Sequence, residues 1–144
     1  MALIQAELTH PDYGMTLTDA KGHTMKIDIP AEYGGNGDGF RPMQTMLSAL
    51  CGCSAVDVVS ILKKQRQTIE GMIIRVDGER QHGIEPSLWE KVHLLFELKG
   101  DLDAGKAARA VELSISKYCS VAETLRRAGA KITWEVMVNE TIVT

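Results

Sequence analysis

The sequence contains little cysteine. Only three cysteines occur among 144 residues, an odd number that is too small for a secreted domain held together by disulfides. No N-terminal stretch combines positive charge with an apolar run, as a secretory signal would. We therefore expect a protein of the reducing cytoplasm. The chain also lacks internal repeats and low-complexity segments.

An excess of basic charge is missing as well. The chain has 16 Lys and Arg residues against 19 Asp and Glu residues, a net charge of -3, so we expect no nucleic-acid partner. The longest weakly charged segment, 42–62, still contains Gln44, Asp57 and several hydroxyl side chains, which a bilayer would penalise. We therefore expect no membrane partner.

The histidines form no metal-binding motif. They stand at positions 10, 23, 82 and 93, and none has the spacing of a zinc ligand alongside the cysteines. We expect no metal site. His23 begins a predicted strand near a glycine-rich loop, and it is the one histidine that we keep as a candidate for a functional site.

The order of the predicted elements indicates an α+β fold. Alternation of apolar and polar residues predicts strands at 4–8, 15–17, 25–29, 72–76, 92–98 and 132–138, and turn residues at 19–22 predict a hairpin between the second and third. A glycine-rich loop at 31–42 precedes a long helix from Pro42 to about Gln67. An amphipathic helix is predicted at 104–118, and a short helix from Cys119 or Ser120 to Gly129. We expect a single domain over residues 1–144.

The long helix is apolar on all sides, which predicts that a sheet encloses it on one side and further protein on another. Gly52 lies in its interior, where glycine costs about 1 kcal/mol relative to alanine, so we expect another backbone to pack closely there. At the start of the short helix, "SVAE" at 120–123 has the form of a capping box. In that motif Ser120 accepts a hydrogen bond from the backbone and Glu123 reaches back.

The three cysteines have different predicted surroundings. Residues two apart on a helix point about 200° away from each other, so Cys51 and Cys53 cannot share a metal ion or form a disulfide without unwinding the helix. Cys119 stands at the start of the short helix, where the unpaired N–H groups and the positive end of the helix dipole favour a thiolate. The alternative is that all three are small buried apolar residues, the commonest fate of free cysteine.

Two segments that contain cysteine resemble those of a known family. They are "FRPMQTMLSALCGCSAVDVVSILKKQRQ" at 40–67 and "SKYCSVAETL" at 116–125, and together they resemble the OsmC-like proteins, the family of osmotically inducible and organic hydroperoxide resistance proteins. The order of strands and helices also agrees over nearly the whole chain. The resemblance implies antiparallel sheets around a long central helix, in an intertwined homodimer with its sites at the interface.

The resemblance also implies an activity. It is that of a thiol peroxidase without metal or organic cofactor, in which Cys53 matches the cysteine that attacks a hydroperoxide and Cys119 the cysteine that resolves the product into a disulfide. An external dithiol then reduces the disulfide. Met43 stands where the best-studied peroxidase branch of the family carries a glutamate, and Gln44 where related members carry one. The chain also has no arginine before Arg41, although the family uses an arginine from its N-terminal strands.

Several residues are candidates to support the cysteines. Arg41 is the nearest available guanidinium, Glu32 and Asp38 in the glycine-rich loop are candidate acids, and Gln44 can form hydrogen bonds but cannot take a proton. Asp57 lies one helical turn after Cys53 and can influence the thiol, anchor a dimer or serve a structural pairing.

A second function is compatible with the same residues. The protein would then be a non-catalytic or redox-sensing dimer with the OsmC fold, which binds a small ligand and has weak or no peroxidase activity.

Overall fold

The computed structural model describes residues 3–9 and 12–144, so His10 lies outside the described residues. The chain divides into two compact units, Met1–Met46 and Leu47–Thr144, which are treated separately below. The α+β class is confirmed, since both units contain a sheet and three helices follow the order predicted from the sequence. The expectation of a single domain stays a prediction.

The first unit contains a three-stranded antiparallel sheet in the order β1-β2-β3. Its strands are β1 (Ile4–Leu8), β2 (Met15–Asp19) and β3 (Thr24–Ile27). The predicted hairpin between β2 and β3 is present: the Asp19 carboxylate accepts hydrogen bonds from the backbone N–H groups of Lys21 and His23, and Gly22 has a φ of 89°. Such a φ suits glycine because it has no Cβ. None of the residues in these strands is buried.

The glycine-rich loop of the first unit is organised by a buried carboxylate. Asp28 Oδ1 accepts from the N–H of Ile29 at 2.7 Å, and Asp28 Oδ2 accepts from the N–H groups of Asn36 and Asp38 at 3.2 Å each. At Gly35 an added Cβ would lie 2.1 Å from the Ile29 carbonyl oxygen, so the close approach of the two backbones requires glycine. A single 3₁₀ turn, Ala31–Tyr33, is the regular structure inside this loop.

The long helix α1 (Pro42–Lys64) begins in the first unit and continues through the second. It ends three residues before the predicted end at Gln67, and Arg66 has a left-handed φ of 57° that does not continue a helix. The buried residues follow one stripe: Leu47, Leu50, Ser54, Val58 and Leu62. The expectation of close backbone packing at Gly52 is wrong within this chain, because Gly52 is exposed and an added Cβ would meet nothing within 4 Å.

By length and composition, α1 is able to cross a membrane. Its most apolar window has a mean hydropathy of 1.8, and 28% of that window is buried inside the protein. The core helices of soluble proteins meet the same two criteria, so the absence of a membrane partner stays a prediction.

The second unit contains a four-stranded sheet in the order β4-β5-β6-β7. Its strands are β4 (Thr68–Arg80), β5 (Trp89–Asp101), β6 (Lys131–Val138) and β7 (Thr141–Ile142). The pairings β4–β5 and β6–β7 are antiparallel, as the resemblance implied, whereas β6 runs parallel to β5. Helical segments between the two strands carry the chain back to the opposite end, as a parallel pair requires. The two-residue strand β7 was not predicted; so short a segment shows no periodicity.

Two helices and a helical turn connect β5 to β6: α2 (Ala104–Leu113), a π-helical turn (Ser114–Tyr118) and α3 (Ser120–Arg127). The predicted helix at 104–118 is therefore divided at Ser114. The predicted capping box does not form: Cys119, not Ser120, caps α3, and Glu123 binds Arg126 and Arg127. Helix α3 ends as predicted, with Gly129 at a φ of 103°.

The core of the second unit lies between its sheet and its helices. The strand β5 has a fully apolar buried face made of Val92, Leu94, Phe96 and Leu98. Helices α2 and α3 both contact β6, and they bury Ala107, Ala110, Val111, Ala122 and Leu125. This packing holds the start of α3 in a fixed place, and that is where Cys119 lies.

Candidate thiol site

The structure brings two of the three cysteines together. Cys53 lies on α1 and is half-buried, while Cys119 caps α3 and is 2% exposed. A side-chain hydrogen bond links Cys119 to Cys53, and the Cys119 Sγ also accepts the N–H of Ala122 at 3.4 Å. All three cysteines are free thiols in the structure. Cys53 and Cys119 are thus a pair of reduced thiols in which the Cys53 side chain acts on Cys119 through a hydrogen bond and its charge.

The predicted thiolate at Cys119 is wrong for the reduced protein. Burial, the hydrogen bond that the Cys119 S–H donates to Cys53 and the charge of Cys53 raise the pKa of Cys119 to about 11. The backbone N–H groups of Ala122 and Val121 lower this pKa, as the start of a helix should, but their effect is smaller than that of burial. At neutral pH the Cys119 side chain is therefore a thiol, and it is a poor nucleophile in that form.

Cys51 has a different environment. It is half-buried, burial raises its pKa, and its carbonyl accepts a hydrogen bond from the Ser54 hydroxyl at 3.2 Å. The groups that act on the pKa of Cys119 include Cys53 and not Cys51. This arrangement agrees with the opposite directions expected for residues two apart on a helix.

A buried serine connects the segments that carry the two paired thiols. Ser114 is 0% exposed, and its Oγ lies 3.2 Å from the Ser54 carbonyl oxygen and 3.0 Å from Asp57 Oδ2. Asp57 therefore has a hydrogen-bonding partner in Ser114, as the predicted structural pairing of this carboxylate requires. Sequence reasoning missed Ser114, although a polar residue among Ala110, Val111 and Ile115 on the apolar stripe of a helix was a usable signal.

The other predicted site residues lie in the first unit, and the cysteines lie in the second. Gln44 Oε1 accepts the backbone N–H of Arg41 at 3.1 Å, which is the contact that a residue at this position of a capping box makes. Glu32 is exposed in the 3₁₀ turn. His23 is 77% exposed and pairs with Asp19 at 2.8 Å in the hairpin turn.

The pair between His23 and Asp19 changes the pKa of Asp19. The hydrogen bond from His23 holds the pKa of Asp19 below its usual value. This contact gives His23 a structural role in the turn.

The cysteines have no metal-binding neighbours in the part of the chain that the structure describes. Within residues 3–9 and 12–144, no group of three or more His, Cys, Asp or Glu side chains is placed so that it could hold a metal ion. The expectations of no metal and no organic cofactor stay predictions.

These features define a class of protein: an α+β fold in which a long helix presents one thiol to a second thiol at the start of another helix. The family model described as "OsmC-like protein" matches residues 35–135, which include both thiols. The chain belongs to the OsmC-like family. The family resemblance drawn from the sequence is therefore confirmed, and so is the fold.

Individual relatives agree with this assignment. Protein YhfA of Escherichia coli (strain K12) is 42% identical over 111 residues, 76% of this chain and 78% of that protein. The crystal structure of a hypothetical protein from Aquifex aeolicus VF5 superposes with a TM-score of 0.79 at 28% identity, covering 97% of this chain and 98% of the other. An organic hydroperoxide resistance protein from Legionella pneumophila has the same fold, with a TM-score of 0.73 at 16% identity over 96% and 97% of the chains.

Proposed function

We propose that this chain is a thiol-dependent peroxidase that reduces organic or small hydroperoxides through Cys53 and Cys119. The observation that carries the proposal is the hydrogen-bonded contact of these two thiols. Membership in the OsmC-like family supports it, as does the shared fold with a protein from Legionella pneumophila that is described as an organic hydroperoxide resistance protein.

The reaction starts at Cys53. Its thiolate attacks one oxygen of the hydroperoxide; an S–O bond forms, the O–O bond breaks, and the leaving alkoxide takes a proton to become an alcohol. Cys53 is the attacking residue because burial and the neighbouring sulfur keep Cys119 protonated, with a pKa of about 11. The product is a sulfenic acid on Cys53.

The second step forms a disulfide. Cys119 loses its proton and attacks the sulfur of the sulfenic acid; an S–S bond forms, the S–O bond breaks, and the oxygen leaves as water. An external dithiol reduces the disulfide by thiol–disulfide exchange and returns both thiols. The cycle uses neither a metal nor an organic cofactor. We place the enzyme in the cytoplasm as a homodimer.

Peptide mapping after one equivalent of hydroperoxide tests the assignment of the cysteines. We expect a Cys53–Cys119 disulfide and a free Cys51. Cys53→Ser should abolish the fast loss of thiol, and Cys119→Ser should preserve the first oxidation but accumulate sulfenic acid on Cys53. Cys51→Ser is the matched control and should leave the chemistry intact. A disulfide that contains Cys51, or an unchanged oxidation rate in Cys53→Ser, would contradict the proposal.

A redox-sensing dimer is the second candidate function. It is favoured by Met43, which stands where the best-studied peroxidase branch of the family carries a glutamate, and by Gln44, which stands where related members carry one. Consumption of hydrogen peroxide and of an alkyl hydroperoxide with excess dithiol distinguishes the two functions. Repeated turnover supports the peroxidase, whereas one oxidation per chain without turnover supports the sensor.

A further inference from the structure

The two thiols are carried by segments that a single buried residue joins. The hydroxyl of Ser114 lies within hydrogen-bonding distance of the Ser54 carbonyl and the Asp57 carboxylate, while the carbonyl of Ser114 accepts the N–H of Cys119 at 2.7 Å. Ser54 directly follows Cys53 in α1. Ser114 is therefore connected to the neighbourhood of Cys53 by its side chain and to Cys119 by its backbone.

The π-helical turn (Ser114–Tyr118) directly precedes Cys119 and sets the direction of the chain at that residue. In a continued α-helix the N–H of Cys119 would bind the carbonyl of Ile115, four residues earlier. That carbonyl instead accepts the guanidinium of Arg126 at 2.6 Å, and the N–H of Cys119 binds the carbonyl of Ser114, five residues earlier. One extra residue in a turn rotates the following chain by about 100°. The direction of Cys119 thus depends on this turn.

Such a turn needs tethering, because π-helical hydrogen bonding is rare and occurs mostly as single turns, frequently at functional sites. Two tethers hold it: Arg126 binds it to α3, and the Ser114 hydroxyl binds it to α1. Of these two tethers, it is the Ser114 hydroxyl that connects the turn to α1, the helix that carries Cys53. A disulfide requires Cα atoms about 4.4–6.8 Å apart and the correct direction of both Cβ atoms.

We propose that Ser114, held by Asp57 and the Ser54 carbonyl, is a positioning residue that sets the placement of Cys119 relative to Cys53 and so governs closure of the disulfide. Its importance for turnover rests on the proposed peroxidase function. Its effect on the equilibrium between the dithiol and the disulfide does not, because any oxidant that exchanges with thiols can close the bond.

The test is a redox titration of the full-length protein with reduced and oxidised dithiothreitol, followed by alkylation and peptide mapping of Cys53 and Cys119. The measured quantity is the equilibrium constant for disulfide formation. Ser114→Ala and Asp57→Ala each remove a member of the tether, and each should lower the constant by about tenfold or more, since small misplacements of reacting groups have effects of up to about a hundredfold.

Two variants separate positioning from general damage. Asp57→Asn keeps an oxygen that accepts the Ser114 hydroxyl, and it should restore the constant to within about twofold of the wild type. Ser116→Ala removes an exposed hydroxyl of the same π-helical turn that donates to the Glu112 carbonyl; it should also leave the constant unchanged. Thermal unfolding of each reduced variant shows whether it is folded. If Ser114→Ala fails to fold, the comparison of Asp57→Ala with Asp57→Asn still tests the inference.

Equal constants in the wild type, Ser114→Ala and Asp57→Ala would overturn the inference, and so would an equal loss in Ser116→Ala or no recovery in Asp57→Asn. Failure of the proposed function has a different signature. In that case the wild type closes the Cys53–Cys119 disulfide with oxidised dithiothreitol but does not react with hydroperoxide. A wild type that does not close the disulfide with either oxidant would contradict both.

Discussion

The Cys119 thiol responds to the state of its neighbour. Part of the rise in the pKa of Cys119 comes from the charge and the hydrogen bond of Cys53. In the proposed reaction Cys53 becomes a sulfenic acid, which removes the charge of its thiolate, while the N–H groups of Val121 and Ala122 continue to favour the Cys119 thiolate. Cys119 is thus held as a thiol before the first oxidation and is more easily ionised after it. The order of the two proposed steps follows from this difference.

The raised pKa of Cys119 predicts a pH dependence of stability in the reduced protein. Between the usual value of 9.0 and the folded value of about 11, the folded state keeps the Cys119 proton and the unfolded state loses it, so the free energy of unfolding falls as the pH rises. The stabilising effect is complete below pH 9.0 and is lost through about pH 11.

Urea unfolding of the wild type and of Cys119→Ala at several pH values under reducing conditions checks this prediction. Other groups titrate in the same range, so the measured quantity is the difference between the two proteins. We expect that difference to shrink toward high pH. Parallel curves would show that Cys119 has no shifted pKa.

At the scale of elements, the loop of the first unit is ordered by one residue. A segment with Gly34, Gly35, Gly37 and Gly39 has little side-chain surface to bury, yet the Asp28 carboxylate accepts the N–H groups of Ile29, Asn36 and Asp38. Charge-assisted hydrogen bonds of this kind are among the stronger ones in proteins. The loop has a defined conformation because its backbone binds this carboxylate.

Asp28→Ala should therefore loosen the loop without unfolding the protein. Hydrogen–deuterium exchange is the measurement, and the amides of Asn36 and Asp38 should exchange at least about tenfold faster, since a hydrogen bond to a charged group contributes about 1.5–3 kcal/mol. Glu32→Ala is the matched control, because Glu32 lies exposed in the same loop; its exchange should match the wild type. If the amides of Asn36 and Asp38 exchange at the wild-type rate in Asp28→Ala, the Asp28 carboxylate is not what orders the loop.

At the scale of the whole molecule, two apolar surfaces of the chain are left uncovered. No residue of β1, β2 or β3 is buried, although a sheet normally buries one face. In the second unit, α1 exposes Ala49, Gly52 and Val56, and Val56 is 67% exposed. An apolar helix that one chain covers on one side only is typical of a subunit that packs against another.

We therefore expect a homodimer that covers the exposed face of α1. Light scattering at micromolar concentration should give twice the mass of one chain. Val56→Lys should shift the population toward monomer because it introduces a charge into an apolar interface, while Val56→Ala keeps an apolar side chain and should remain dimeric. A wild type that is monomeric, or a Val56→Lys variant as dimeric as the wild type, would contradict this interface.

Local patterns in the sequence were enough to predict most of the strands and helices. The alternation along β5 and the glycine at the end of α3 predicted a strand and a helix end that the structure contains, because side-chain periodicity and left-handed turns depend on a few neighbouring residues. The family resemblance depended on two contiguous segments around Cys53 and Cys119. The same kind of pattern misplaced the cap of α3, because "SVAE" fits the motif at Ser120 while tertiary packing starts the helix one residue earlier.

Features that depend on residues far apart in the sequence were determined only by the tertiary structure. The parallel pairing of β5 and β6 and the Ser114 contacts with α1 join segments tens of residues apart, for which no local pattern exists. The protonation of Cys119 was decided in the same way. From the sequence, the start of the helix favours a thiolate at Cys119, but burial and the neighbouring Cys53 raise its pKa to about 11. Desolvation and neighbouring charge act through space, so only the folded chain determines them.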